Sequence, residues 1–280
     1  MPPVGGMARV RPFRATPTSA VGESTPLPSS KVVEQLSLRL ETGLPRLPAI
    51  TPMWPTPRDD PFDSATHLFE PIWGGHRAIA YVGPARTQGG GETRIIDPSG
   101  RSRERALPEL AGLAVRVDAR SAILDGELVC TDAAGRADDE ALRSRLSGVR
   151  GRPVAFLVFD LLHLDGSSLL RLPLSRRRSM LRQVLRPGDE VVMVPAIPNE
   201  GRALYDAVVA QGVAGVLARD RSSPYLPGVR SRLWRSIGAR ASEEGTGQEP
   251  AVATEPPSAT APVLALFRRL PLIDEDPDAG

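Results

Sequence analysis

The chain has 280 residues, of which 41% are hydrophobic and 24% charged, as in a folded soluble protein of one large domain or two small ones. The formal net charge is only +2, and the single cysteine, Cys130, excludes an internal disulfide bond and a zinc site built on cysteines. No apolar run reaches the ~18–20 residues of a membrane span, and the start lacks the apolar stretch of a secretory signal, so we expect a cytoplasmic protein without membrane contact.

The two ends of the chain differ in composition from its middle. Twelve of the 29 prolines fall in residues 1–61, and we interpret the Pro- and Ser-rich residues 1–48 as disordered apart from one short helical stretch, Lys31–Leu40. Residues 241–280 are a Pro- and Glu-rich acidic tail with a net charge of −6, which leaves +8 for the rest of the chain. Inside this tail, the apolar residues 263–273 are a candidate docking segment for a protein partner.

Between the ends, residues 49–240 form the predicted folded domain. Its predicted strands are His76–Val82, Thr93–Asp97, Ala122–Cys130, Val154–Leu161, Glu190–Pro195 and, more weakly, Gly215–Arg219 and Leu233–Ile237. Its predicted helices are Leu107–Val117, Asp138–Leu146, Leu174–Leu185 and Ala203–Gln211. Turn signals at Asp165-Gly166 and at glycines 89–91 indicate hairpins. We therefore expect an α+β fold of largely antiparallel sheets with flanking helices, although hydrophobic periodicity alone leaves an α/β fold open.

Three acidic residues on the predicted strands are candidates for chemistry. Asp125 and Glu127 are two positions apart and share one sheet face, and Asp160 follows another apolar run. Such acids either bind a hard metal ion or a ribose, or terminate strands through turn hydrogen bonds. The arginines of residues 101–105 and of residues 176–178 likewise either contact phosphates or form a solvated face.

Lysine is almost absent from the sequence. Lys31 is the only lysine beside 34 arginines. Arginine stays protonated in proteins and cannot act as an amine nucleophile. Any mechanism with a covalent lysine intermediate therefore depends on position 31.

Five segments, in order, resemble the nucleotidyltransferase domain of ATP-dependent DNA ligases. Over residues 50–238 the resemblance is closest to the ligase module of bacterial end-joining ligases. Residues 122–129, AILDGELV, carry the third family motif unaltered. The other segments, similar to the first, second, fourth and last motifs, are residues 50–82, 94–110, 156–181 and 211–238.

The resemblance implies a fold, a reaction and its partners. The fold is a ligase-type nucleotidyltransferase domain. In the reaction, a lysine of the first motif, E-x-K-W-D-G-x-R, attacks the α-phosphate of ATP. The resulting adenylate passes to a 5′-phosphate at a DNA break, and the 3′-hydroxyl displaces AMP. The implied cofactors are ATP and Mg²⁺, because each step moves a charged phosphorus centre. The implied partner is nicked or broken duplex DNA.

This sequence departs from the family at the positions that carry the reaction. The first motif reads Glu70-Pro71-Ile72-Trp73-Gly74-Gly75-His76-Arg77, so Ile72 occupies the nucleophile position and no catalytic residue is assigned. Other family residues are replaced as well: Asp by Gly74, Arg by Pro98, the metal-binding Glu by Ala214, Lys by Arg219, and two phosphate-binding lysines by Ser236 and Gly238.

The retained family residues belong to the nucleoside end of the pocket. The resemblance implies that Glu70 contacts the adenine amine and that Phe159, or less favourably Phe156, packs on the base. It places Arg77 and Glu127 on the ribose and metal side, with Glu127 as the metal ligand, and Arg219 keeps a cationic charge. These residues either still bind a nucleotide or persist because the fold packs around them.

We therefore expect a ligase-like DNA-repair protein that no longer catalyses and that retains nucleotide, DNA or partner binding. The alternative is residual ligase activity, through Lys31 or another nucleophile, or with a partner that supplies the family's OB-fold domain. The roughly 40 residues after Gly238 are too few for that barrel. A third hypothesis is a metal-dependent phosphodiesterase that uses Asp125, Glu127 and Asp160.

Overall fold

The computed structural model describes residues 47–87, 90–239 and 258–268. The predicted helix at Lys31–Leu40, nearly all of the predicted N-terminal disorder and most of the acidic tail lie outside these residues. Within them the α+β architecture is confirmed, because two largely antiparallel sheets are flanked by short helices. In the same ranges no helix combines the length and apolarity needed to cross a membrane.

Strands outnumber helices in the described residues, as the sequence predicts. The strands are β1 (Trp54–Pro57), β2 (Ser64–Ile72), β3 (His76–Thr87), β4 (Gly90–Ile96), β5 (Ala122–Val129), β6 (Ala155–Leu164), β7 (Ser167–Ser168), β8 (Val191–Met193), β9 (Ile197–Asn199), β10 (Gly215–Asp220) and β11 (Arg230–Gly238). The α-helices are α1 (Asp139–Leu146), α2 (Leu174–Val184), α3 (Gly201–Ala210) and α4 (Ala261–Phe267), and 3₁₀ turns cover Glu104–Ala106 and Pro108–Arg116.

Strand pairing brings the family-like segments together. The first sheet has the order β1-β11-β10-β2-β9, and the second has β4-β3-β5-β6-β7 with β8 beside β6. Most pairs are antiparallel, but β1–β11 and β6–β8 are parallel. Ile72 at the end of β2 pairs with Gly215 of β10, and Arg77 of β3 pairs with Glu127 of β5. Each sheet therefore places one part of the first motif beside a later motif.

Strands β5 and β6 form the centre of the second sheet and are buried on both faces. Leu124 and Phe156 pack into one core, whereas Leu157 packs into another. Because both faces are covered, the sequence here is nearly continuously apolar instead of alternating. The carboxylates of Asp125 and Asp160 lie among these side chains with 0% exposure. Burial of a charge on this scale requires a cationic partner.

Two local predictions need correction, and one hairpin is confirmed. Pro108–Arg116 is a 3₁₀ segment and not an α-helix; it has no side-chain cap, and Gly112 and Val115 weaken an α-helix. Ser64–Ile72 forms a nine-residue strand that the sequence pattern does not indicate, because its polar residues and Pro71 obscure the strand signal. The turn at Asp165-Gly166 does join β6 to β7, with φ angles of 46° and 87°.

Helix α4 belongs to the acidic tail in sequence but packs against the folded domain. Val263 and Leu266 are fully buried in the core that also contains Trp73. The ring of Phe267 meets the Trp73 indole edge-on, with 5.5 Å between ring centroids. Burying these apolar side chains stabilises the docked helix by the hydrophobic effect.

A polar contact fixes the start of this helix. The Thr260 amide donates to the carbonyl of Asp189 at 3.0 Å, and its hydroxyl donates to the carbonyl of Gly188 at 2.8 Å. The apolar face that suggested a partner for residues 263–273 is therefore covered by the chain's own domain over residues 263–267; residues 269–273 lie outside the described residues.

Candidate functional site

A cavity of about 610 Å³ is lined by residues from both sheets. Its volume is within the usual range for small-molecule and cofactor sites. The residues that the sequence singles out and that line it include Glu70, Ile72, Arg77, Glu127 and Phe159. The structure thus brings the family-like positions of β2, β3, β5 and β6 to one wall.

Glu70 of β2 lies at the cavity with only 1% of its surface exposed. Its Oε1 accepts hydrogen bonds from Arg178 and, at 2.5 Å, from Nη2 of Arg219. Its Oε2 has no hydrogen-bond partner among the described residues. A buried carboxylate oxygen without a donor is unfavourable, so Glu70 keeps an acceptor that the described residues leave unsatisfied.

Arg219 of β10 does not line the cavity but lies behind Glu70. It is 0% exposed, and its Nη1 donates to Oδ2 of Asp160 at 3.2 Å. Asp160 also accepts two hydrogen bonds of 2.8 Å from Arg177 of helix α2. Each carboxylate meets two guanidinium groups, so both negative charges are compensated in this cluster of three arginines and two carboxylates, which supports the position of Glu70.

In the arginine run 176–178, Arg176 is exposed, as on a solvated face, but Arg177 and Arg178 fit neither sequence interpretation. Arg177 and Arg178 are 0% and 3% exposed and bind the buried carboxylates, instead of contacting phosphate or solvent. Burial lowers the pKa of Arg178 to about 10 against the opposing effect of Glu70, so it is still protonated at neutral pH. The sequence signal that could have located them is their spacing, because both lie on the apolar face of α2 with Leu174 and Leu181.

Arg77 of β3 forms a second buried ion pair at the cavity. Its Nε and Nη2 each donate to the Asp125 carboxylate at 2.6 Å, and the Tyr225 hydroxyl donates to the same carboxylate at 2.7 Å. Burial lowers the pKa of Arg77, but the Asp125 carboxylate more than offsets this and raises it above its usual value. Sequence reasoning missed Tyr225 because it is far from Asp125 along the chain.

Phe159 of β6 is held between two guanidinium groups. The Cζ atom of Arg77 lies 4.5 Å from its ring centroid, and that of Arg219 lies 5.1 Å from it. Cation–π attraction of this kind fixes the ring against the cavity wall. The ring is 6% exposed, so only a small part of it faces a ligand.

Glu127 of β5 binds the loop that joins β2 to β3. Its Oε1 accepts the Gly75 amide at 2.6 Å. Burial raises the pKa of Glu127, while the amides of Gly75, Trp73 and Gly74 and the charge of Arg77 partly offset that rise. In the described ranges, no group of three or more His, Cys, Asp or Glu side chains could hold a metal ion. The role of Glu127 as a metal ligand or a ribose contact stays a prediction.

The position of the family nucleophile is apolar. Ile72 lies at the cavity wall, and Ser236 lines the same cavity. Gly74 has a φ of 81°, which glycine adopts without strain, and a Cβ added to it would stand 3.2 Å from the Cβ of Ala214. The positions that hold Asp and a metal-binding Glu in the family therefore face each other here as two small residues. Ile72, Gly74 and Ala214 carry no charged group that could take part in phosphoryl transfer.

A tight turn after β4 forms the rim of the cavity. The Asp97 carboxylate accepts the Ser99 hydroxyl at 2.6 Å, the amides of Ser99 and Arg101 at 2.8 and 3.0 Å, and the guanidinium of Arg103 at 2.5 Å. Burial raises the pKa of Asp97, but these hydrogen bonds outweigh it and lower the pKa to about 2. The rim is therefore a rigid element with a permanently charged carboxylate at neutral pH.

The matches with known proteins agree with this geometry. The pattern of the family described as "ATP dependent DNA ligase domain" matches residues 65–237. The chain belongs to this family. A relative named "Probable DNA ligase" from Rhodococcus opacus is 32% identical over 209 residues, which are 72% of this chain and 40% of the relative. The "Multifunctional non-homologous end joining protein LigD" of Mycolicibacterium smegmatis is 32% identical over 166 residues, which are 59% of this chain and 20% of the relative.

A solved structure of the same family shares the fold. "Mycobacterial DNA ligase D complexed with ATP and MES" superimposes with a TM-score of 0.56 and 27% identity, covering 68% of this chain and 60% of that one. This ligase-family chain spans about two fifths of the Rhodococcus relative and a fifth of the Mycolicibacterium one. The shared part is the nucleotidyltransferase domain that contains the cavity.

Proposed function

We propose that this chain binds an adenine nucleotide in the cavity without forming a covalent adenylate, and acts as a non-catalytic accessory protein in the repair of nicked or broken DNA. The observation that carries the proposal is the identity of three residues that line the cavity. Ile72 lines the cavity at the nucleophile position, beside the nucleoside-side residues Glu70 and Phe159. Isoleucine has no atom that can attack phosphorus.

The buried end of the cavity supports recognition of a nucleoside. The unpaired Oε2 of Glu70 would accept a hydrogen bond from the exocyclic amine of the base. Phe159 would contact the base plane, and Glu127 would face a ribose hydroxyl. Arg219 contributes indirectly, because it holds Glu70 and Phe159 in place from behind.

The described residues do not fit a metal ion that the protein itself would hold. Asp125 and Asp160 are each bound to an arginine, and Glu127 is bound to the β2–β3 loop. We therefore propose that nucleotide binding is independent of Mg²⁺. The same ion pairs speak against the phosphodiesterase hypothesis, which needs these three carboxylates free to bind metal.

Charge supports the proposal of DNA as a partner. The chain outside the acidic tail carries +8, and the exposed arginines include Arg230 and Arg232 of β11. Titration of nicked duplex at two salt concentrations tests it. Phosphate contacts release counterions, so we expect the affinity to fall steeply as salt rises. Absence of binding at low salt would contradict the DNA part of the proposal.

The covalent part is tested with radiolabelled ATP and the full chain, because helix α4 belongs to the folded core. With Mg²⁺ or Mn²⁺ present, we expect no label on the protein, while calorimetry detects adenosine and ATP binding. A Lys31→Arg variant is the matched control, since it removes the only lysine and keeps its charge. Label on the wild type that disappears in this variant would contradict the proposal.

A further inference from the structure

Three arginines line the cavity, and two of them are already neutralised. Arg77 is paired with Asp125, and Arg103 donates from Nε and Nη2 to Asp97. The third, Arg101, is exposed, and among the described residues no carboxylate binds its guanidinium. The positive charge of Arg101 is therefore available to a ligand.

The backbone of Arg101 is fixed although its side chain is free. Its amide donates to Oδ1 of Asp97 and its carbonyl accepts the Asp97 amide, both at 3.0 Å. Gly100, just before it, has a φ of 82°. Its amide donates a hydrogen bond of 2.9 Å to the Asp97 carbonyl, which closes the turn. Only side-chain rotamers are ordered when this arginine binds a ligand, which limits the entropic cost.

Arg101 lies where a cation could contact the phosphate of a bound nucleotide. Glu70 and Phe159 are buried at the inner end, whereas Arg101 is exposed at the rim. The residues at two other family anion-contact positions, Pro98 and Ser236, line the cavity but carry no charge. A nucleoside with its base against Glu70 would direct its 5′ substituent away from the buried end.

We propose that Arg101 binds the phosphoryl group of a nucleoside phosphate whose base and ribose occupy the inner part of the cavity. The proposal rests on the nucleotide site proposed above and adds a phosphate subsite to it. A guanidinium presents paired N–H donors that match two phosphoryl oxygens, so a single arginine is sufficient for an oriented contact. The subsite distinguishes nucleotides from nucleosides.

The experiment compares adenosine with AMP by calorimetry on the full chain, without metal. We expect Arg101→Ala to weaken AMP binding about tenfold, the loss of one charge-assisted contact, and to leave adenosine binding within about twofold. Arg105→Ala is the matched control, because Arg105 is exposed in the same segment but does not line the cavity. Arg101→Lys is expected to recover part of the AMP affinity.

The outcomes separate the two proposals. Equal AMP affinities for the wild type and Arg101→Ala, with adenosine bound by both, would overturn the phosphate subsite alone. Equal losses in Arg101→Ala and Arg105→Ala would also overturn it, since they would show only a general charge effect. Failure of both adenosine and AMP to bind the wild type would overturn the nucleotide site and the subsite with it.

Discussion

The inner end of the cavity, at Glu70, differs from the end near Ile72 in the number of ion pairs that its side chains make. We call the end near Ile72 the phosphate end, after the family positions that it holds. At the inner end, Glu70, Asp160 and Arg219 form buried ion pairs that link β2, β6 and β10. At the phosphate end, Ile72 and Ala214 stand at the family's nucleophile and metal-binding positions. These are small or apolar residues whose side chains make no ion pair.

This difference explains how the family fold persists without the family's reactive groups. Removing one partner of a buried ion pair leaves an uncompensated charge and destabilises the protein strongly. An isoleucine at position 72 needs no ion partner, so it has no such cost. We therefore expect Glu70 and its arginines to be needed for folding with or without a ligand, so stability and binding must be measured separately.

The largest expected effect tests the inner end. Asp160→Asn keeps the shape of the side chain but removes the charge that compensates Arg177 and Arg219, which are both 0% exposed. We expect the free energy of unfolding to fall by about 3–5 kcal/mol, measured by urea denaturation of the full chain. Asp139→Asn, which breaks an exposed pair with Arg143, is the control and is expected to change it by less than about 0.5 kcal/mol.

If Asp160→Asn lowers the free energy of unfolding by less than about 1 kcal/mol, the proposed difference between the two ends of the cavity is contradicted. It would mean that the inner cluster contributes little to folding, and retention of its residues would then point to ligand binding instead. A pocket retained for folding and a pocket retained for ligand binding thus predict different unfolding curves for Asp160→Asn.

The next effect concerns helix α4, which supports the first-motif loop from outside the cavity through Trp73. Val263 is 0% exposed in this helix, whereas Val149 is 56% exposed in a loop. We expect Val263→Ala to lower the free energy of unfolding by about 2 kcal/mol, since it removes two buried methyl groups and leaves a cavity. Val149→Ala is expected to change it by less than about 0.5 kcal/mol. Equal effects of the two variants would show that α4 is not docked in solution.

Sequence could predict those parts of the molecule in which local pattern and structure agree. The apolar runs of β5 and β6, and the Asp165-Gly166 turn, specify their own conformation. The pairing of Arg177 and Arg178 with carboxylates on other elements is tertiary, and composition suggested solvent or phosphate for them. The docking of α4 was likewise hidden, because its apolar residues follow a Pro- and Glu-rich stretch.

The candidate site shows the same division. The resemblance to ligases identified Glu70, Ile72, Arg77, Glu127 and Phe159, all of which line the cavity. It could not show that Arg219 lies behind Glu70 and not at the cavity surface, because a motif match does not tell how deeply a side chain is buried. It also could not single out Arg101, whose availability depends on which carboxylates its neighbours bind.

A smaller effect is expected at the rim, and it depends on pH. Hydrogen bonds lower the pKa of Asp97 to about 2, so its contribution is fully present above pH ~4 and is lost as the pH falls towards 2. We expect Asp97→Asn to be less stable than the wild type by about 1–2 kcal/mol at pH 6. The difference should shrink in urea titrations between pH 4 and pH 2. A difference that stays constant over this range would contradict the role of the charged carboxylate.

The smallest effect on stability is expected at Ile72, whose side chain makes no ion pair. Ile72→Lys restores the family nucleophile at the cavity wall, and we expect less than about 0.5 kcal/mol change in stability and no covalent label from radiolabelled ATP. The amine alone is insufficient because Gly74 and Ala214 still replace the family's two carboxylates. Gly74, at a φ of 81°, cannot take a side chain without strain. Label at position 72 would show that the phosphate end lost only its nucleophile, and that the remaining groups still activate ATP.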